Sequence, residues 1–327
     1  MSEPGNPFYP PQGVWQLPTR PMTLGQTLDR IFKLLRSHFK LFVAIGSVPL
    51  VGLAVLEGAY FAFFFKFLNP ARPGGPANLS PQFSGLIVPV FLALWLAIMA
   101  LYALFEAAAS HATLSIEAGT HLRARDAWRH IWARAGRYLW LMVLRMLVAS
   151  APMLLALLVL LAGLFAAAFI GRGDMSHGAL FVLVPFWILL FAAAAVYTVL
   201  AMIWLALAYP ASLAEDLPAW KAVRRSCELT HGARGRIFLT LLALYAISMA
   251  GVMAVELAAF MLFALGALLI TALHLNAAVG FICAGAGGLV LALVVLVLMA
   301  ITSSAYAAAL AILYRDQRRL ELTPAIY

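Results

Sequence analysis

Four ionisable residues fall inside or beside long apolar stretches of the chain: Glu57, Glu106, Arg145 and Glu256. A charge is costly in hydrocarbon, so such residues usually face another helix or a water-filled cavity. They are suited either to a proton or cation site, or to hydrogen bonds and ion pairs that join neighbouring helices. Arg145 follows Arg137 by about 12 Å of helix, and Glu106 is close to the cytoplasmic end of the second span, so both are expected in the cytoplasmic half of the bilayer. We therefore expect a buried Glu106–Arg145 ion pair, with an Arg145 that extends to the headgroups as the alternative.

Sequence motifs of known catalytic or metal sites are missing from the chain. The seven histidines are dispersed, and no metal-binding, nucleophile-elbow or phosphate-loop motif occurs. Hydrolytic or metal chemistry needs several polar groups at one site. The two cysteines, Cys227 and Cys283, are interpreted as free thiols. The sequence therefore predicts no catalytic residue, no metal site and no cofactor, and hence a protein that is not an enzyme.

The elements that must position these residues are membrane-spanning helices. Hydrophobic residues make up 65% of the chain and charged residues 11%, far from the proportions of soluble domains. A spanning helix needs about 20 apolar residues. Six stretches meet this requirement: residues 41–65, 84–110, 138–170, 179–209, 237–270 and 277–313. We expect an all-α integral membrane protein.

Positive charge alternates between the two sides of this arrangement. Lysine and arginine number five in residues 1–40, five in 121–137, five in 218–236 and three in the tail, against two, one and none in the other connections. The positive-inside rule then places both termini in the cytoplasm. The alanine-rich spans favour a bacterial cytoplasmic (inner) membrane. Because the charges flank spans, the net charge of +9 points to anionic lipid rather than to nucleic acid.

The three basic segments also have a helical apolar face. Residues 24–39, 124–138 and 218–231 each predict an amphipathic helix that lies in the interface plane with its basic face toward the headgroups. Thr23 and Gln26 have the spacing of a capping box, and Asp216 is placed to cap the third helix. The candidate headgroup contacts are Arg30, Lys33, Arg36, Arg125, Arg129, Arg134, Lys221, Arg224 and Arg225.

The sequence predicts one unit that recurs three times. Phe39, Tyr138 and Ile237 enter the first, third and fifth spans at intervals of 99 residues. Each unit is then an interfacial helix followed by a helical hairpin, about 23–120, 121–215 and 216–314 within a membrane domain of residues 23–314. Glu117 and Glu215 end the second and fourth spans and are expected to tie the following short helix to the bundle. Residues 1–22 predict a proline-rich disordered cytoplasmic tail, and 315–327 a short cytoplasmic tail.

Four segments carry a family resemblance: residues 24–39 (LGQTLDRIFKLLRSHF), 209–215 (YPASLAE), 222–232 (AVRRSCELTHG) and 312–319 (ILYRDQRR). With them the chain resembles the bacterial glycerophosphodiester phosphodiesterase membrane-domain family and related membrane proteins of unknown function. In full-length members a separate catalytic barrel performs the phosphodiester chemistry. The barrel's His-Arg motif has no counterpart here, so the resemblance implies a membrane domain and carries no catalytic residue over.

Two functions compete at this point. The first is a membrane-organising or partner-binding module that contacts anionic lipid through the basic helices, with a protein partner or a second copy of the chain as further partners. The alternative is a transporter or lipid-handling protein with a polar intramembrane cavity. The transporter hypothesis requires Glu57, Glu256 and Arg145 to meet in that cavity. The membrane-organising hypothesis predicts a packed apolar interior instead.

Overall fold

The computed structural model describes residues 21–68, 81–170, 177–272 and 277–322, and within these it contains ten α-helices and no strand. The predicted proline-rich tail lies outside the described residues except for its last two positions, as do the last five residues of the C-terminal tail. The helices are α1 (Leu24–Ser37), α2 (Phe39–Leu68), α3 (Pro81–Glu117), α4 (Ala124–Trp132), α5 (Ala135–Ile170), α6 (His177–Trp204), α7 (Ala208–Ala214), α8 (Ala219–Thr230), α9 (Arg234–Ala272) and α10 (Ala277–Leu322).

Six helices are long and apolar enough to cross a membrane, which makes the chain a multi-pass membrane protein by length and composition. The six predicted stretches all fall on α2, α3, α5, α6, α9 and α10. The fourth differs in one respect, because the helix breaks after Trp204 and resumes at Ala208 as the separate helix α7. Pro210 lacks the amide hydrogen that would continue α6 through this point.

The packed core lies at one end of the bundle, which we call the base. The base comprises α1, α4, α7 and α8, the first turns of α2, α5 and α9, and the last turns of α3 and α10. Its interior is rich in alanine; Ala107–Ala109 and Ala307–Ala309 are all buried, which allows α3 and α10 to approach closely. The opposite halves of α5 and α9 expose leucine, phenylalanine and methionine, as suits contact with lipid chains.

The three short helices are where the predicted amphipathic segments lie. α1 begins with the predicted capping box, since Thr23 and Gln26 each bond the other's backbone amide. The apolar face of each short helix packs on the bundle, through residues such as Ile31, Ile131 and Ala222, which are fully buried. The apolar face of each amphipathic helix is therefore the face that contacts the rest of the protein.

The short helices pack in a cyclic order. α1 packs on α9 and α10, α4 packs on α2 and α3, and α8 packs on α5 and α7. Each short helix thus contacts mainly helices of the part of the chain that precedes it, and α1 closes the circle against the last pair of long helices. The packing joins the three parts of the chain at the base.

Two of these contacts satisfy backbone groups that have no partner within their own helix. Pro49 removes the amide that would bond the Ile45 carbonyl in α2, and the indole Nε1 of Trp128 in α4 donates to that oxygen at 3.2 Å. At the break before α7, the Ser226 hydroxyl of α8 accepts from the Leu207 amide at 3.1 Å and donates to the Trp204 carbonyl at 2.7 Å. In membrane helices, side chains of neighbouring helices commonly form hydrogen bonds with backbone groups that a break leaves without a partner.

We expect Ser226→Ala to lower the free energy of unfolding by about 1–3 kcal/mol, because it leaves a buried amide and a buried carbonyl without partners. Thermal unfolding in detergent micelles measures the loss. Ser47→Ala is the matched control, since the exposed Ser47 hydroxyl bonds only within its own helix. Equal stability of the two variants would contradict the role assigned to Ser226.

Candidate functional site: buried ion pairs at the base

The predicted pair between Glu106 and Arg145 is confirmed. Nη1 of Arg145 in α5 lies 2.9 Å from both carboxylate oxygens of Glu106 in α3. The Glu106 side chain is 11% exposed and that of Arg145 22% exposed. A pair this close and this well enclosed keeps both charges inside the base at the cost of removing them from water.

A tyrosine ring packs against the arginine of this pair. The guanidinium carbon of Arg145 lies 5.1 Å from the ring centroid of Tyr209, the second residue of α7, in the range of a cation–π contact. The Tyr209 hydroxyl donates to the Tyr138 carbonyl at 3.4 Å. α3, α5 and α7 are therefore joined around one guanidinium group.

The other two intramembrane acids do not extend this site. Glu256 is exposed on α9, in the half of that helix that lies away from the base. The side chain of Glu57 lies outside the described residues. Glu106 and Arg145 also line neither of the two cavities, of about 400 Å³ each, described at α1. The described residues thus bring together two of the four predicted groups.

Two further acids each bind cations from different helices. Glu117, at the end of α3, receives Nε of Arg30 at 3.0 Å and Nη1 of Arg315 at 3.1 Å. Glu215, which follows α7, receives Nε of Arg225 at 3.3 Å and the Tyr314 hydroxyl at 2.8 Å. Glu215 thus ties the following helix α8, as expected. Glu117 instead ties α1 and α10, so its predicted link to α4 is wrong.

A second kind of pair recurs at corresponding positions. Arg137 and Arg236 are the third residues of α5 and α9, and they bind Asp216 and Asp316, each at 2.6 Å. Each acid follows its arginine by 79 or 80 residues. The first pair therefore joins the start of α5 to the second residue after Ala214, the last residue of α7. The second joins the start of α9 to the last turns of α10.

Asp216 is not the cap that its position suggested. α8 has Pro218 at its N-cap without a side-chain hydrogen bond, while the Asp216 carboxylate pairs with Arg134 and Arg137. The hydrogen bond from Arg137 holds the pKa of Asp216 below its usual range. The backbone of Asp216 is left-handed, with φ of 49°.

The nine candidate headgroup contacts divide into two groups. Arg30, Arg134, Arg224 and Arg225 form ion pairs with acids of the protein. The other five are exposed, and within the described part of the chain none of them forms an ion pair: Lys33, Arg36, Arg125, Arg129 and Lys221. Lipid contact stays a prediction for all nine.

One histidine pair is part of the base. The rings of His111 in α3 and His130 in α4 stack with centroids 4.4 Å apart and an angle of 7° between their planes. Burial, and then the positive charge of Arg134, lowers the pKa of His130 below its usual value. Among the described residues, no group of three or more histidine, cysteine, aspartate or glutamate side chains is placed to hold a metal ion.

The chain matches no family model, no curated protein and no solved structure. The family resemblance carried by the four segments therefore stays a prediction. In the structure, all four segments contribute to the ion pairs of the base. Residues 24–39 supply Arg30 and residues 222–232 supply Arg225. Residues 209–215 supply Tyr209 and Glu215, and residues 312–319 supply Tyr314, Arg315 and Asp316.

Sequence reasoning missed the residues that complete these sites. Trp128, Ser226 and Tyr209 carry no charge pattern that marks them. The prolines give part of the signal, because Pro49 identifies Ile45 as a carbonyl in need of a donor. The sequence does not say which helix brings that donor.

We expect Glu106→Gln to destabilise the protein by about 3–5 kcal/mol, because Arg145 would then be buried without a counter-charge. The double variant Glu106→Leu/Arg145→Met removes both charges and should recover most of this loss. Thermal unfolding in detergent measures both. If the double variant is no more stable than Glu106→Gln, the pair has a role other than mutual neutralisation.

The histidine pair predicts that the packed end of the bundle, the base, becomes less stable at acid pH. Because the pKa of His130 is lowered on folding, its contribution to stability is complete above the unfolded value of about 6.5 and is lost as the pH falls below it. His111, Arg134, Arg137 and Asp216 are the ionisable groups around it. We expect His130→Phe, which keeps an aromatic ring, to reduce the fall in melting temperature between neutral and acid pH. An unchanged fall would contradict this assignment.

Proposed function

We propose that this protein is a non-enzymatic integral membrane protein, a membrane-organising or partner-binding module that contacts anionic lipid. In this proposal the base faces the cytoplasm of a bacterial cell, with the domain in the inner membrane and both termini on the cytoplasmic side. The short helices lie at the membrane surface. The uneven distribution of lysine and arginine supports that orientation.

One observation carries the proposal. Each short helix exposes a large aromatic side chain about one turn from an exposed arginine: Phe32 with Arg36 on α1, Trp132 with Arg129 on α4, and Trp220 with Arg224 on α8. Aromatic residues are enriched at headgroup level, and basic residues there are attracted to anionic lipid. The opposite face of each helix is buried in the base, so the exposed face is the one available to the membrane.

The repeat gives this arrangement its geometry. We infer three tandem units, each a short helix followed by a helical hairpin, as the resemblance to the phosphodiesterase membrane-domain family also implies. The cyclic packing of α1, α4 and α8 and the corresponding pairs of Arg137 and Arg236 support this inference. Three basic and aromatic faces would then be presented around one rigid base.

The transporter hypothesis receives less support from the described residues. Glu106 is bound through both oxygens to Arg145, and Glu256 is exposed on another part of the bundle. A coupled proton or cation site needs such groups to converge. The pair in the base is better suited to hold α3 against α5.

Lipid contact at α4 is tested with brominated lipids, which quench nearby tryptophan fluorescence. The protein is reconstituted with brominated phosphatidylglycerol or brominated phosphatidylcholine, and the signal of Trp132 is obtained by difference from Trp132→Phe. We expect stronger quenching by the anionic lipid in the wild type. Arg125→Gln/Arg129→Gln should reduce this preference several-fold, since each basic residue contributes about 1 kcal/mol near an anionic surface.

Charge-preserving replacement is the matched control. Arg125→Lys/Arg129→Lys keeps both charges and should keep the preference for anionic lipid. If the glutamine variant retains the full preference, or if the wild type has none, the proposed lipid contact is wrong.

A further inference from the structure

A lateral groove of about 400 Å³ runs between α1, α9 and α10. Along α9 it runs from the buried residue Leu244, nearer the base, to Gly251, two turns further along the helix. Seven residues of helix span about 10 Å. The groove therefore extends from the base along the apolar part of the bundle, where Leu298 and Ile301 of α10 form the facing wall.

The walls of the groove are largely apolar. Of its two hydroxyl groups on α9 and α10, that of Thr302 donates to the Leu298 and Met299 carbonyls of its own helix. A hydrocarbon chain could occupy this space without leaving the Thr302 hydroxyl unsatisfied.

The mouth of the groove carries a positive charge. Arg36, in the last turn of α1, lines the groove together with the exposed ring of Phe32. Arg36 is itself exposed, and it forms no ion pair with any residue that the structure describes. An arginine can bind the oxygens of a phosphate with two parallel hydrogen bonds. An apolar channel with a single cation at its surface end matches the shape and charge of an anionic phospholipid.

We propose that this groove binds one anionic phospholipid, with an acyl chain between α9 and α10 and the headgroup phosphate at Arg36. The site rests on the proposed function, because it requires the base to lie at the membrane surface. It goes beyond general contact with lipid, since it assigns one bound molecule to one place. The lipid would fill the gap between α1 and the last pair of long helices.

Gly251 provides a way to close the groove. A Cβ atom built on Gly251 would lie 3.9 Å from Cδ1 of Leu298, an ordinary contact. Gly251→Ala should therefore fold and retain the lipid. A larger side chain in Gly251→Leu would occupy the space of the acyl chain, whatever the headgroup.

The test is native mass spectrometry of the full chain extracted from bilayers with equal amounts of phosphatidylglycerol and phosphatidylcholine. We expect the wild type to retain one phosphatidylglycerol. Arg36→Gln should reduce that retention roughly tenfold, through loss of a charge-assisted contact. Gly251→Leu should reduce retention of both lipids, with its melting temperature measured to establish that it is folded. Gly251→Ala should behave as the wild type.

Three results would overturn the site: no retained lipid in the wild type, unchanged retention in both Arg36→Gln and a folded Gly251→Leu, or a polypeptide segment found in the groove. Failure here is distinguishable from failure of the proposed function. If quenching at Trp132 still depends on Arg125 and Arg129, only the groove site is wrong. If that dependence is also lost, both proposals fall.

Discussion

Within a hydrocarbon layer every backbone amide and carbonyl needs a partner from the protein itself, and the base contains two places where such groups have none within their own helix. Pro49 leaves the Ile45 carbonyl of α2 without its helical donor, and the break before α7 leaves the Leu207 amide and the Trp204 carbonyl without helical partners. Trp128 and Ser226 satisfy these groups from α4 and α8. At both places an irregularity in a long helix is bonded by a side chain of a short one.

The buried charged side chains are also paired with groups of the protein. Glu106, Glu117, Glu215 and Asp316 each receive an arginine from a different helix, and several also receive a second donor. Breaking such a pair is far more costly than the pair is worth in itself, because the remaining charge is left buried. The network therefore contributes to the choice of one arrangement of helices over others that would bury the same apolar area.

The long helices could be predicted from the sequence because their signal is local. Six apolar stretches fall on the six long helices, the capping box at Thr23 is present, and the depth of Glu106 and Arg145 sufficed to pair them. Partner choice at long range could not be predicted. Arg30, Arg134 and Arg225 bind acids of the protein, yet in the sequence they resemble Arg36 and Arg129, which do not. Asp216 had the position of a cap, and only the fold brings Arg137 to it.

The cyclic packing also has a consequence for biosynthesis. α1 is translated before α9 and α10, yet it packs on both, and Arg315 shares Glu117 with Arg30. The partners of α1 therefore do not yet exist when α1 leaves the ribosome. α4 and α8, by contrast, find the helices on which they pack already made. Insertion of the spans and closure of the base are therefore separate events in time, and α1 lacks its final partners until translation of α10 is complete.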